Sequence, residues 1–416
     1  MNIGPRRAGG AAVLFICGLA ACDGARKPHE QQPTAQTPSA RTLAVLGRAL
    51  FFDSTLSASG RTACSSCHDP RYSWGPSNAR PVQLAGPAGT APGVRAVPGL
   101  TYAQNTPAFT EHFREDDGND ADDQGPAGGR TWDGRVSSAH EQAALPLLSS
   151  FEMGNGSRNA ALGRLRVSPT AAAFRAAFGG QVFDDSVAAW RGLLAALEVF
   201  QETPGEFYPY TSKYDAFLRG QAALSTRERR GRALFDDPKK GNCAQCHPSA
   251  MVRGAFPQFT DRGFVALGVP RNANIPANAS ASYFDLGLCG PLRTDLASHK
   301  EYCGMFKTPS LRNVSRRLVF FHNGVFTRLG DVLRFYAQRD QHPERFYPRD
   351  AAGNVKKFDD LPAIYRANVT ADPPFETNAG NGPAFNDAEA EDIIAFLRAL
   401  DDGYRPASTR GAKRSQ

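Results

Sequence analysis

Two pentapeptides carry the densest chemistry in the chain: Cys64-Ser65-Ser66-Cys67-His68 and Cys243-Ala244-Gln245-Cys246-His247. Two thiols two residues apart, with a histidine directly after, are what attachment of a c-type haem requires. The thiols add covalently to the haem vinyl groups, and the histidine then lies close enough to bind iron from the proximal side. One copy alone would also suit a redox dithiol with an incidental histidine. Two copies, each following the same short phrase, point to two haems, with Cys64, Cys67, Cys243 and Cys246 as thioether anchors and His68 and His247 as proximal ligands. Such a chain handles electrons. A carrier haem has both axial positions filled, whereas a catalytic haem keeps one face open with an acid or base nearby to manage protons.

The elements that position these motifs are repeated. Gly47-Arg48-Ala49-Leu50-Phe51 stands before the first motif and Gly231-Arg232-Ala233-Leu234-Phe235 before the second. Leu43, Leu46, Leu50 and Phe51 fall at helical spacing, with order expected from about Thr42. Ser225 and Glu228 form a capping box for the second copy. A duplicated helix leading into C-x-x-C-H argues for two cytochrome c-type domains in tandem, mainly α, with long loops. Each needs a later helix packed across the first. Asn386 and Glu389 cap one such helix, with Ile393, Phe396, Leu397 and Leu400 as its apolar stripe. Val187, Trp190, Leu194 and Leu197 supply the stripe for the first domain.

The chain's 416 residues suffice for two or three domains, and the 41% hydrophobic content supports packed cores. The 40 glycines and 30 prolines point to long ordered loops around cofactors. Of the net charge of +7, Arg6, Arg7, Arg410, Lys413 and Arg414 at the two ends account for five, so the remaining +2 gives no nucleic-acid footprint. Residues 1–21 read as a secretory leader, with a basic start and an apolar run too short to span a bilayer. The leader ends in Leu19-Ala20-Ala21-Cys22, which resembles the bacterial lipobox and implies lipidation of Cys22. An ordinary leader with an incidental cysteine is the alternative. Residues 22–41 read as a flexible tether, 42–204 and 205–405 as the two haem domains, and 406–416 as a polar tail. Residues 115–129 carry an acidic run that reads as a solvated loop. Cys289 and Cys303 remain once haem and leader are assigned. In an exported chain they form a disulfide, worth about 3 kcal/mol for a loop of about 15 residues; two buried free thiols are the alternative.

Further phrases carry a resemblance. Leu46 to Asp53, Trp132-Asp133-Gly134-Arg135, Gln142, Pro146, Glu152-Met153, Phe306 to Asn313 and Phe321-His322-Asn323-Gly324 occur in one order along residues 42 to 404. With them the chain resembles the bacterial di-haem cytochrome c peroxidases, and more narrowly their MauG-type branch. The resemblance implies that the N-terminal haem is peroxidatic and the C-terminal haem passes electrons. It makes Glu152 the proton shuttle between the two peroxide oxygens, Gln142 the residue that orients peroxide, and Trp132 the bridge between the haems. It makes Tyr336 the sixth ligand of the second iron, where many relatives carry methionine; Met305 is the rival, and Met251 a weaker one. A phenolate is hard and anionic and favours oxidised iron. Relatives that need reductive activation carry a histidine in the loop after the first motif; Asp69 to Glu111 contains none, and His112 is misplaced for that task. The first haem is therefore expected open at rest.

The resemblance also implies one calcium ion between the domains, held by the Asn105 side chain and the main-chain carbonyls of Arg317 and Val319. It implies a peroxidase that takes electrons from a small cytochrome c or cupredoxin; the leader places it in the periplasm, with the lipid on Cys22 as its sole membrane attachment. Members of the family are often homodimers. The alternative function is peroxide-dependent oxidation of a partner protein, as in quinone-cofactor maturation. A non-enzymatic di-haem carrier is a further alternative.

Overall fold

The computed structural model describes residues 37–114, 123–375 and 382–406. The leader, Cys22, most of the tether, residues 115–122 of the acidic run and nearly all of the tail lie outside the described residues.

Ten α-helices occur among the described residues: α1 (Ala40–Phe51), α2 (Ala139–Leu148), α3 (Arg158–Val167), α4 (Ala171–Phe178), α5 (Ser186–Gln201), α6 (Pro204–Phe207), α7 (Lys213–Leu218), α8 (Thr226–Asp236), α9 (Leu329–Gln338) and α10 (Asp387–Arg398). Strands are confined to two short antiparallel ribbons. β1 (Leu84–Ala85) pairs with β2 (Ala91–Pro92), and β3 (Phe264–Val265) pairs with β4 (Phe306–Lys307). Long loops make up much of the rest. None of these helices is long and apolar enough to cross a membrane.

The helix starts follow capping chemistry. The Ser39 side chain accepts from the Thr42 amide, so α1 begins at Ala40, two residues ahead of the expected start. Ser225 and Glu228 cap α8 reciprocally, and Asn386 and Glu389 do the same for α10. The Asp185 carboxylate accepts from the Val187 and Ala188 amides and starts α5.

Two helix crossings organise the molecule, and both turn on a glycine. A Cβ added to Gly47 of α1 would lie 1.8 Å from the Ala196 carbonyl oxygen of α5. A Cβ added to Gly231 of α8 would lie 1.8 Å from the Asp392 carbonyl oxygen of α10. Glycine inside a helix costs about 1 kcal/mol of propensity relative to alanine. At these two positions it lets the backbones touch, which any side chain would prevent.

Each crossing sits in its own apolar core. The first contains Leu46, Leu50 and Phe51 of α1, Trp190, Leu193, Leu194 and Leu197 of α5, and Phe207. The second contains Phe235 of α8, Ile393, Phe396 and Leu397 of α10, and Val332 and Leu333 of α9. Val187 departs from the expected stripe: it is 59% exposed in the first turn of α5, before the helix reaches the face that α1 covers. Cys289 and Cys303 are joined by a disulfide, with Cα atoms 4.9 Å apart.

Buried charge joins the loops of the two halves. The Arg95 guanidinium bonds Asp133 at 2.6 Å and Asp285 at 2.6 and 2.7 Å, and the Arg95 and Asp133 side chains are 7% and 0% exposed. A buried pair this well hydrogen-bonded is costly to break from one side, because the partner is left charged and unpaired.

Candidate active site and its haem cavities

Two cavities open beside the two C-x-x-C-H motifs, and the motifs are built alike. Cys64 starts a single 3-10 turn whose carbonyl accepts from the Cys67 and His68 amides at 3.1 and 3.0 Å. At the second motif the Cys243 carbonyl accepts from the His247 amide at 2.8 Å. The His68 ring Nδ1 bonds the Trp74 carbonyl at 2.8 Å, and the His247 ring Nδ1 bonds the Phe259 carbonyl at 2.8 Å. A carbonyl can only accept, so Nδ1 carries the proton in both rings and Nε2 is left for a metal. Burial lowers the pKa of both imidazoles, that of His68 to about 4, which keeps the ring neutral for ligation.

The first cavity has a volume of about 170 Å³ and is lined by Cys64, Cys67 and His68 together with Gln142, Glu152 and Arg135. The local fold explains how Glu152 gets there. Helix α2 contains Pro146, whose ring cannot donate to the helix ladder, and the helix stops two residues later at Leu148. The chain then turns back, with the Glu152 amide on the Ser149 carbonyl and the Met153 amide on the Pro146 carbonyl. Gly154 closes the turn at a φ of 70°. Burial raises the Glu152 pKa, while the neighbouring Ser149 side chain and the charge of Arg135 oppose that rise. Arg135 is held by Asp133 through contacts of 3.0 and 2.9 Å. Among the described residues, His68 is the only histidine lining this cavity. His112 is exposed and pairs with Asp123 at 2.6 Å.

The second cavity is larger, about 360 Å³, and is lined by Cys243, Cys246, His247 and Tyr336. Tyr336 lies on α9 against Phe375 (ring centroids 5.2 Å apart) and Phe321 (6.0 Å). Burial pushes its phenol up, as do the two motif thiols, and the Arg339 guanidinium pulls it down. That guanidinium is 1% exposed and paired with both oxygens of Asp340 at 2.7 Å, which counters part of its charge. Met305 and Met251 do not line the cavity; Met305 sits in the loop that packs on Gly287, and Met251 is 40% exposed.

Trp132 and Gln142 line both cavities, so each forms part of a shared wall. The Trp132 indole N–H donates to the Ala96 carbonyl at 2.8 Å, and neighbouring Asp133 anchors the Arg95 network. Three half-buried cations, Arg130, Arg262 and Lys307, also line the larger cavity. Burial, with Arg262 and Arg130 close by, lowers the Lys307 pKa to about 7; burial with Arg130 close by lowers that of Arg262 to about 10. These groups need anions, and a haem brings two propionate carboxylates.

The residues therefore fit haem c. The four motif thiols are free of disulfides, both imidazoles are preset in one tautomer, and the larger cavity is lined by half-buried cations suited to acidic groups. For a calcium ion the fit is narrower. Asn105 is exposed and Val319 is buried, while the Arg317 guanidinium is turned to the Val97 carbonyl at 3.0 Å. Its charge is thus committed away from its own main-chain oxygen. No group of three or more His, Cys, Asp or Glu side chains suited to a metal occurs among the described residues. The structure adds Arg135, the Arg130–Arg262–Lys307 cations and the Trp74 and Phe259 carbonyls to the residues read from sequence. Of these, Arg135 and Lys307 lie inside phrases read from sequence, those of Trp132 and of Phe306 to Asn313.

Comparison with known proteins supplies the remaining findings. The sequence profile described as di-haem cytochrome c peroxidase matches residues 41–223. The methylamine utilization protein MauG of Paracoccus denitrificans is 33% identical over 379 residues, covering 89% of this chain and 91% of that protein. The cytochrome c551 peroxidase of Nitrosomonas europaea is 28% identical over 296 residues, covering 70% of this chain and 71% of that protein. Among solved structures, the diheme peroxidase BthA of Burkholderia thailandensis matches with a TM-score of 0.77 at 34% identity, covering 88% of this chain and 87% of BthA.

Proposed function

This chain belongs to the di-haem cytochrome c peroxidase family, a class of oxidoreductases with two haem c groups, and we propose that it reduces hydrogen peroxide to water beside His68 with electrons relayed past His247. We read the two apolar cores as two tandem cytochrome c-type domains, 42–204 and 205–405. Haem iron, held through His68, would supply the electrons for cleavage of the O–O bond. The chain's own residues do the rest. Gln142 orients peroxide by hydrogen bonding. Glu152 takes the proton from the iron-proximal oxygen and delivers it to the distal one, so that a poor leaving group departs as water. Arg135, held by Asp133, keeps positive charge beside the developing anion. Two electrons and two further protons complete the conversion of one peroxide to two waters.

The observation that carries this reading is the asymmetry between the cavities. Glu152 and Arg135 line the cavity of His68 and not that of His247, whereas Tyr336 lines the cavity of His247 and not that of His68. We assign Cys64, Cys67, Cys243 and Cys246 to thioether bonds, His68 and His247 to the proximal positions, and Tyr336 to the sixth position of the second iron. Trp132 is the bridge between the two. Steady consumption of peroxide by the holoprotein with reduced small cytochrome c is the expected result. Peroxide consumption that does not accelerate with added donor would sink the assignment.

A second reading shares the same site: peroxide-dependent oxidation of a partner protein. Tyr336 and the doubly exposed Trp132 favour it, since both suit two haems that hold oxidising equivalents jointly. Slow turnover with donor and fast decay on a protein substrate distinguish it from the first.

The proposed location is the periplasm, the compartment of family members, with Cys22 lipidated as the anchor and a small cytochrome c or cupredoxin as donor. A homodimer is the proposed assembly. One calcium ion on Asn105, Arg317 and Val319 is proposed as a structural ion, and metal analysis of the holoprotein tests it.

A further inference from the structure

Tyr102 is built into the molecule in a way that packing alone does not require. It is 0% exposed and held at a φ of 58°, a backbone region that L side chains other than Asn and Asp rarely adopt. Its hydroxyl donates to both oxygens of Asp402, at 2.8 and 2.9 Å, and accepts from the Tyr210 amide at 3.0 Å. Asp402 is fixed in turn by the Thr211 amide and hydroxyl and by the Asn313 side chain.

Its position is equally specific. Tyr102 lines the larger cavity with Trp132 and His247. Its amide donates to the Phe207 carbonyl, and the Phe207 ring stacks on Trp74 with centroids 4.4 Å apart. Trp74 is the residue whose carbonyl holds His68. On the other side, the Arg312 guanidinium lies 4.5 Å from the Tyr102 ring and 5.7 Å from that of Phe259, whose carbonyl holds His247. Tyr102 thus stands between the supports of both proximal histidines. Its ring meets Tyr210 edge-on at 5.1 Å, and Tyr210 is partly exposed.

A buried phenol hydrogen-bonded to a carboxylate is the arrangement for losing an electron and a proton together. An oxidised phenol is a strong acid, and its proton needs an acceptor already in place. We propose that Tyr102 is an oxidisable residue that takes up an oxidising equivalent when peroxide has reacted and no donor protein arrives. One electron passes from Tyr102 to the oxidised haem pair, the phenolic O–H bond breaks, and the proton bonds to Asp402. A neutral phenoxyl radical remains, and the haem pair is left one equivalent above rest. Peroxide is the oxidant. Tyr210, which is partly exposed, then gives an electron to Tyr102 and its own phenolic proton to solvent, while Tyr102 recovers its proton from Asp402; a small reductant supplies the electron, and solvent the proton, that restore Tyr210. Arg312 does not oppose the transfer with a free charge, because it is paired with Asp215 in a fully buried contact of 2.8 Å.

The inference rests on the peroxidatic reading above, and the test separates the two. The holoprotein is mixed with one equivalent of hydrogen peroxide without donor, frozen at intervals and followed by electron paramagnetic resonance and optical absorption. The expected result is an organic radical whose spectrum narrows when ring-deuterated tyrosine is incorporated. Its yield falls at least tenfold in Tyr102→Phe, and its formation slows at least tenfold in Asp402→Asn. A nitroso spin trap followed by peptide mass spectrometry of the unsubstituted protein marks Tyr102 or Tyr210, which does not depend on a variant folding. If the haem bands respond to peroxide but no tyrosyl signal forms, or the adduct maps elsewhere, the inference alone is overturned. If the haem bands do not respond, the peroxidatic reading falls and the inference with it.

Discussion

Around His68 and around His247 the chain solves one problem twice. In each half a helix bearing Gly-Arg-Ala-Leu-Phe crosses a later helix at a glycine, and a Cβ there would sit 1.8 Å from a backbone oxygen. In each half the proximal imidazole is fixed by an aromatic residue's carbonyl at 2.8 Å. The halves part in what else lines the cavity of each histidine. The cavity of His68 is also lined by Glu152, brought in by a turn that follows a proline-interrupted helix. The cavity of His247 is also lined by Tyr336, brought in by the regular helix α9. The repeated scaffold is thus separable from the few side chains that distinguish the two cavities: one gains a carboxylic acid, the other a phenol.

Glu152→Gln sharpens this comparison most. It keeps the shape and removes the proton carrier, so kcat for peroxide should fall by about 10²–10⁴ while haem content and the second-haem spectrum stay unchanged. A loss under tenfold would mean that the turn does not supply the acid–base group. Next in size are Gly47→Ala and Gly231→Ala. Each forces a methyl into a backbone oxygen and should cost about 3 kcal/mol by overpacking, read as matched losses in thermal unfolding of the holoprotein. A large loss in one and none in the other would break the equivalence of the crossings.

Tyr336→Met tests the other half. Exchanging an anionic oxygen for a neutral thioether should raise the second-haem potential by on the order of 0.1 V, within the roughly 0.8 V that axial ligands span. An unchanged potential and low-spin spectrum would remove Tyr336 from the iron. The smallest effect is on pH. Burial raises the Glu152 pKa, and the carboxylate form is the one that accepts peroxide's proton. Activity is therefore lost as pH falls through this raised value, and the acid limb of kcat/KM should lie above that of an ordinary glutamate and vanish in Glu152→Gln. An acid limb identical in both proteins would assign it to another group.

Much of this was legible in the sequence, for identifiable reasons. The two C-x-x-C-H motifs fix covalent chemistry through side chains, and the repeated Gly-Arg-Ala-Leu-Phe phrase marks the duplicated helix, although the close approach at its glycine is visible only in the structure. The capping boxes at Ser225 and Asn386 are local, so four residues suffice to read them. Glu152, Gln142 and Tyr336 were found through their flanking phrases, because a lone glutamate or tyrosine has no pattern of its own. What was illegible is either main-chain or long-range. The Trp74 and Phe259 carbonyls carry no residue signature, and Arg95 meets Asp285 across 190 residues. Val187 fits the apolar spacing of α5 yet is exposed, because spacing reports a face and not how far along the helix that face is covered.

Electron paramagnetic resonance of the resting oxidised holoprotein, before and after one equivalent of peroxide, tests the asymmetry most directly. A high-spin ferric signal from the His68 haem beside a low-spin signal from the His247 haem is predicted, with the high-spin signal consumed on addition of peroxide. Two low-spin signals that ignore peroxide would contradict it and leave a chain that only conducts electrons.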